Sequence, residues 1–576
     1  MKKIMIIAAA ALLAGSAKAQ TIYDAAKFTG KDLNGTARFV GMGGAMSALG
    51  GDISTIGTNP AGIGIYRSND VMTTFSFSAY GMESTYKGLD NVYNSKWDKN
   101  RGGFDNIGFV FSSKIGNQTP LRYVNFGFNY HKSKSFYKNM GMEGLLNTAP
   151  GDGIVTQTYQ MANQANGVKD SKYLEGREAF RDKDLGWLSV LGWQGHLLNE
   201  DGKDQWGGNL YRPMTTDIPY AKFHSEERGG IDQYDFNVSF NVNDRFYFGM
   251  TIGAYDVDYK KYSSYDENYG ETGYLLESWN KIGGSGFDFK LGAIVRPIES
   301  SPLRFGVSVH SPTFYKLTLT TSSRMVSDVF LGDKLTRTTI DTYDMVGDMN
   351  REYSFRTPWT YNFSLGYTVG SSLAIGAEYE YENYSTMRFN YPEGDAMTWE
   401  NDQTSMLKGV STVRVGAEYK VIPQFAFRLG YNYSTSAFKK DAFKNLPINS
   451  ISTDTDFANA QALSNYTIGI GYRGSLLYAD LAYKYSTYKE KFYAFEDIYL
   501  NKTELPILAA RYSLPSACVS KKRRVSIAII TFVCEKDPRR NAVLRGFLFY
   551  IAYTSMLQRF MLPFRKDNIT GPKVRI

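Results

Sequence analysis

Four histidines, a few carboxylates on alternating strand positions and two cysteines are the side chains of this chain that could hold a metal or move a proton. No two of His131, His196, His224 and His310 fall at metal-ligand spacing, so no metal site is expected. His196 and His224 share the longest loop and are the pair that would clamp a heme iron; a lone histidine on such a loop is more often plain surface. Glu378, Glu380, Glu382, Glu418 and Asp480 invite an acid–base reading. They all stand on one face of their strands, however, and a polar face that is simply solvated explains them as well. There is no G-x-S-x-G, no H-E-x-x-H and no plausible Ser–His–Asp order. No catalytic residue, no cofactor and no enzymatic activity are therefore expected. Cys518 and Cys534 lie close to the C-terminus, and so few cysteines leave no disulfide scaffold or thiolate site.

Two further groups invite binding rather than catalysis. Leu185, Trp187, Leu188, Val190, Leu191, Trp193, Leu197 and Leu198 repeat like one face of a short helix. They make either a concave apolar surface for a ligand, with Trp187, Leu188, Leu191 and Trp193 at its centre, or a lid helix packed on its own loop. Asn59, Pro60, Ala61 and Gly62 form a corner, because Asn favours a turn and Pro fixes φ.

Strands must position these residues. Tyr234, Phe236, Val238, Phe240 and Val242 alternate with Asp235, Asn237, Ser239 and Asn241. Phe425 to Ser434 repeats the pattern, and so does Leu373 to Glu382. Thirteen strands are legible, near 71–80, 105–113, 122–132, 232–242, 244–258, 286–296, 302–318, 352–368, 372–386, 409–420, 423–436, 465–473 and 475–488. Their links alternate strictly between short ones, such as 421–422, and long ones at 81–104, 133–231, 259–285, 319–351, 387–408 and 437–464. Short periplasmic turns and long external loops belong to an all-β transmembrane antiparallel barrel of an outer membrane. Both termini then lie on one side, so fourteen strands are expected. Thr503–Ala510 offers no alternation and carries a strand-breaking proline, so the last strand is missing from this reading.

The chain divides accordingly. Residues 1–19 read as a signal peptide: Lys2 and Lys3, an apolar run from Ile4 to Leu13, then Ala17-Lys18-Ala19. Residues 20–70 are rich in small residues whose glycines do not match a dinucleotide loop and follow no strand; a compact glycine-rich segment can fold close to other backbone, as an N-terminal hatch plugging a lumen would. The barrel occupies 71–505. Residues 506–576 form an anomalous basic tail, read as sequence whose frame was lost near Pro506; the other reading is a basic membrane-surface segment. Composition supports the barrel, with 43 Tyr, 36 Phe and 55 Gly against 17 Pro. Residues 516–576 carry 13 Lys+Arg and 3 acids, leaving 52 and 54 in the rest, so the body is nearly neutral and no nucleic-acid partner is implied.

One resemblance adds to this. Gly35-Thr36-Ala37-Arg38-Phe39-Val40-Gly41-Met42-Gly43-Gly44-Ala45, then Asp52 and Asn59-Pro60-Ala61, resembles the N-terminal hatch of the FadL/TodX family of long-chain fatty-acid and hydrocarbon transporters. Ser311-Pro312-Thr313, Thr357-Pro358-Trp359, Glu378–Tyr384 and Arg414–Tyr419 extend the likeness over roughly residues 30–500. The resemblance implies fourteen strands around a hatch that plugs the lumen, with Asn59, Pro60, Ala61 and Gly62 at its hinge. It also implies a monomer in outer-membrane lipid that admits a hydrophobic small molecule passively, the ligand leaving sideways through a kink in the wall. Relatives in the Bacteroidetes are often labelled hemin receptors, which keeps His196 and His224 as the rival site.

Overall fold

The computed structural model describes residues 20–149, 153–154, 156–474, 478–496, 503–508 and 525–529. The chain divides into Met1–Val533 and Cys534–Ile576; all the described residues belong to the first unit. The signal-peptide reading and most of the basic tail fall outside the described residues.

Fourteen wall positions are filled among the described residues, several of them in two pieces. They are β1 Asp70–Lys87, β2 Val92–Lys114, β3 Leu121–Ser135, β4 Tyr220–Val242, β5 Phe246–Asn268, β6 Gly273–Val295, β7 Arg304–His310 with Phe314–Leu331, and β8 Met349–Arg356 with Thr360–Val369. Then follow β9 Leu373–Asn383, β10 Gly409–Ile422, β11 Phe425–Ser434, β12 Leu463–Arg473, β13 Tyr478–Tyr493, and β14 Thr503–Leu508 with Val525–Ile529. Every neighbour is antiparallel, and both pieces of β14 pair with β13 and with β1, which closes the sheet. Among the described residues β14 meets β1 at Phe75, Thr85 and Tyr86, and a barrel that crosses a bilayer needs its strand edges covered in this way. Thr503–Leu508 was expected not to form a strand. It does so because the edges of β1 and β13 must both be hydrogen-bonded, and that requirement outweighs the missing alternation and Pro506.

The outer face identifies the barrel as an outer-membrane one. On β5, Phe248, Met250 and Ile252 are about half exposed while their neighbours Tyr247 and Thr251 are buried. Above Ala254 the outward positions become Asp256, Asp258 and Lys260. On β8 the outward apolar run extends from Trp359 to Val369, about 25 Å of height for a strand tilted by roughly 40°.

All thirteen expected strands are present, most of them longer than expected, whereas Leu373–Asn383 and Phe425–Ser434 are shorter than the expected 372–386 and 423–436. Residues 81–104, 259–285 and 319–351, expected as loops, are mostly strand: β1 and β2 turn between Lys87 and Val92, β5 and β6 between Asn268 and Gly273. Outside the hydrocarbon both faces are polar or mixed, so the alternation that marks a strand fades while the ladder continues. A second difference concerns β7 and β8, expected as continuous. Each is broken, at Ser311-Pro312-Thr313 and Thr357-Pro358-Trp359, and the breaks lie side by side. Proline removes a ladder donor. Substitutes stitch the gap: the Thr313 amide donates to Thr357 Oγ1 (2.8 Å), the Thr357 amide to the Thr313 carbonyl (3.2 Å), and the Phe289 amide to Ser311 Oγ (3.0 Å).

Residues 20–66 lie inside the wall. Helix α1, Ile22–Thr29, starts at a capping box of Thr21 and Asp24; α2, Ala37–Gly41, starts at Thr36. From there the chain runs around the lumen with its backbone laid on inward-facing glycines of successive strands. A Cβ on Gly416 of β10 would fall 2.2 Å from the Met42 carbonyl oxygen, one on Gly376 of β9 1.9 Å from that of Ala45, and one on Gly249 of β5 2.3 Å from the Pro60 carbonyl carbon. Gly376→Val should therefore prise the inner segment off the wall, at a cost of about 1–3 kcal/mol or more. Gly102→Val, where a Cβ meets nothing within 4 Å, should be neutral. Thermal conversion of the folded barrel on heat-modifiability gels checks this; equal midpoints for the two variants would refute the contact.

Candidate functional site

The lumen is built in three levels. At the periplasmic end the inner segment is anchored by charge as well as by backbone. Arg38 of α2 grips Glu418 (2.8 and 3.0 Å) and donates to the Gly51 carbonyl (3.0 Å), while Arg428 bridges Glu418 (2.7 Å) to Asp480 (2.5 Å). Arg414 in the same way joins Glu378 (2.5 Å) and Glu380 (2.9 Å), and Lys31 reaches Glu382 (3.2 Å). The inward carboxylates are thus paired rather than merely solvated. Buried charges persist only when matched, and these match across adjacent strands, since Glu418 stands opposite Arg428 and Glu378 opposite Arg414. The sequence contained that signal: Arg414, Glu418 and Arg428 share the inward register.

Asn59, Pro60, Ala61 and Gly62 do come together. Asn59 is fully buried; its Oδ1 accepts from the Ala61 amide (3.1 Å), capping the 3-10 turn Pro60–Ile65, and its Nδ2 donates to the Ala293 carbonyl (3.3 Å). The Pro60 carbonyl accepts from Ser239 Oγ (2.8 Å). Just before this corner, the Thr58 carbonyl accepts from Ser308 Oγ (2.6 Å) and from His310 Nε2 (3.0 Å). Three wall strands, β4, β6 and β7, thus hold one turn.

Above the inner segment lies a chamber of about 450 Å³. Helix α1 crosses it: Lys27 pairs with Glu227 (2.8 Å) and Tyr259 (2.5 Å) on one side, and Tyr23 stacks on Phe438 (4.9 Å) and donates to Asn459 (2.8 Å) on the other. The lining mixes rings, among them Tyr255, Tyr259, Phe457 and Phe492, with Lys–carboxylate pairs such as Lys138–Glu490 (2.5 Å). Near the top, Lys261 is clasped by Asp454 (2.8 Å) and Asp456 (2.6 Å), while Lys444 donates to the carbonyls of both aspartates.

The roof is formed by the loops 146–219 and 437–456. The first carries α3, Gln157–Ala165, and α4, Trp187–Gln194. Trp187, Leu188 and Leu191 are fully buried there; Trp187 donates to the Phe180 carbonyl (3.0 Å) and its amide to that of Ser450 (2.9 Å). Trp193 is half-buried, edge-on to Tyr211 (5.6 Å). The four residues meet, but as the packing of a lid rather than as an open groove. The histidine pair does not meet: His196 is exposed at the end of α4, and His224 points outward from β4, its ring 4.7 Å from Trp97. Among the described residues no cluster of His, Cys, Asp and Glu has metal-ligand geometry.

Comparison with known proteins adds the following. A family model described as BamG matches residues 215–476. No curated protein matches the chain. Among solved structures, a FadL homologue of Pseudomonas aeruginosa is 13% identical, over 87% of this chain and 98% of its own, with a TM-score of 0.43. The toluene transporter TodX of Pseudomonas putida is 9% identical over 88% and 99% (0.42), and the toluene transporter TbuX of Ralstonia pickettii 11% over 87% and 99% (0.39).

Two outcomes follow from the roof. Trp187→Ala should cost about 3–5 kcal/mol of local packing and open 146–219 to limited proteolysis, whereas His224→Ala should leave the digest unchanged. Burial, helped by the Asp454 carboxylate, pushes Asp456 up from 3.8 to about 7. An acid whose value is raised on folding stabilises the fold when protonated, so this contribution is complete below about 4 and lost as pH rises to about 7. Cleavage within 437–456 should therefore quicken from pH 5 to pH 8, and Asp456→Asn should flatten the profile; an unchanged profile in that variant would refute the assignment.

Proposed function

We propose that this barrel admits hydrophobic small molecules, long-chain fatty acids among them, across the outer membrane by passive diffusion. The chamber carries the reading. Its volume lies within the ~300–1,000 Å³ of small-molecule sites, its rings suit an apolar chain, and its paired charges and tyrosine hydroxyls suit a polar end. Residues 20–66 are the hatch beneath it, with Asn59–Gly62 as the corner about which it shifts. The roof loops take the ligand first. The aligned breaks in β7 and β8, at the upper edge of the lipid-facing band, are the route by which it leaves sideways. The barrel works as a monomer and performs no covalent chemistry. A heme clamp between His196 and His224 is not formed, since His196 is exposed at the end of α4 and His224 packs on Trp97, which speaks against a heme receptor built on that pair.

Titrating the full-length protein in detergent with a fluorescent long-chain fatty acid, then competing with toluene and with hemin, tests this. Saturable binding that weakens about tenfold in Phe457→Glu and Phe492→Glu is expected, roughly 1.4 kcal/mol. Hemin binding with a Soret shift and no fatty-acid competition would replace transport by recognition, and an absence of binding by any of the three would remove the reading.

A further inference from the structure

The outer face of the wall carries a second constellation, separate from the chamber. Above the apolar band several outward cations are matched: Lys260 with Asp258 (3.6 Å), Arg324 with Glu277 (3.2 Å), Arg337 with Asp328 (2.7 Å) and Arg228 with Glu226. Lys316 of β7, Arg356 of β8 and Arg388 beyond β9 are exposed, and none has an acidic partner among the described residues.

These three stand together. Arg356 faces Arg388 directly across one strand pair and Phe314 across the other; Lys316 lies two residues above Phe314 on the same face. Like charges placed opposite each other destabilise a sheet, so the arrangement has a cost that a bound anion would remove. The Arg388 guanidinium is already positioned, donating to the carbonyls of Met387 (2.6 Å) and Ser385 (3.1 Å). Height supplies the second argument. Phe287, Phe314 and Trp359, exposed by 48%, 40% and 49%, are the last large apolar side chains before the outward face turns polar. With the short turns periplasmic, that edge lies at the head groups of the outer leaflet.

We propose that Lys316, Arg356 and Arg388 bind the phosphate of an anionic outer-leaflet lipid whose chains lie against Phe287, Phe314 and Trp359. Arginine suits the task because its fork bonds phosphate oxygens in pairs. The site rests on the barrel's orientation in the membrane and not on the identity of its cargo.

Native mass spectrometry of the full-length chain in phosphatidylcholine nanodiscs, titrated with bisphosphorylated lipid A, tests it. The wild type should retain the lipid, K316Q/R356Q/R388Q should bind it about tenfold more weakly, and the dephosphorylated lipid should bind the wild type as weakly as the variant binds the intact one. Unchanged heat-modifiable mobility shows that the variant is folded, and Arg356→Lys should lose less than Arg356→Gln. Affinity within about twofold of wild type in the triple variant would overturn the proposal, as would indifference to the phosphates. Equal affinity for inorganic pyrophosphate would overturn the lipid as the ligand.

Discussion

Hydrocarbon offers no hydrogen-bond partner, so every peptide group at membrane depth must be satisfied by the protein itself. Most of this structure follows from that requirement. It closes the sheet, it recruits two separate pieces of chain as β14 to cover the edges of β1 and β13, and it explains why the proline breaks in β7 and β8 are stitched by threonine and serine side chains. Closure in turn creates an interior that side chains of the wall alone do not fill. Residues 20–66 occupy the lower part of that space and the roof loops the upper part.

Filling a barrel with its own chain brings backbone against backbone, and the inward glycines are what allow it. A segment seated on glycines gains contact with carbonyls and amides rather than with side chains, so its polar groups need partners from the wall. Asn237, Ser239, Ser308 and His310 supply them around Thr58–Pro60. Charge pairs do the same for Arg38 and Lys31. Inner segment and wall are therefore a matched set, each carrying what the other lacks.

The sequence was legible where one face met lipid and the other did not. Phe236, Val238 and Phe240, alternating with Asp235, Asn237 and Ser239, mark a strand without ambiguity. It was illegible above the membrane, where Asp256, Asp258 and Lys260 face water on β5 and the contrast between the faces fades. Thr503–Leu508 was misread for the opposite reason: its pairing comes from neighbouring edges and not from its own pattern. Of the candidate sites, the Asn59–Gly62 corner was visible because Asn-Pro is strong turn chemistry. The burial of Trp187 and Leu188 was not, since an apolar helical face looks the same whether it awaits a ligand or a loop. The glycines facing the inner segment depend on register across strands, which a linear reading of single strands does not expose.

The length of β5 and β6, 23 residues each, has a consequence of its own. A bilayer needs roughly 9–11 residues of tilted strand, so more than half of each strand stands clear of the hydrocarbon, a collar about 30 Å tall. Lys261 and its aspartates sit at the height of this collar, not of the acyl chains. Anything that enters from outside thus leaves bulk water inside a protein chimney before it is level with lipid, and must descend to reach the membrane.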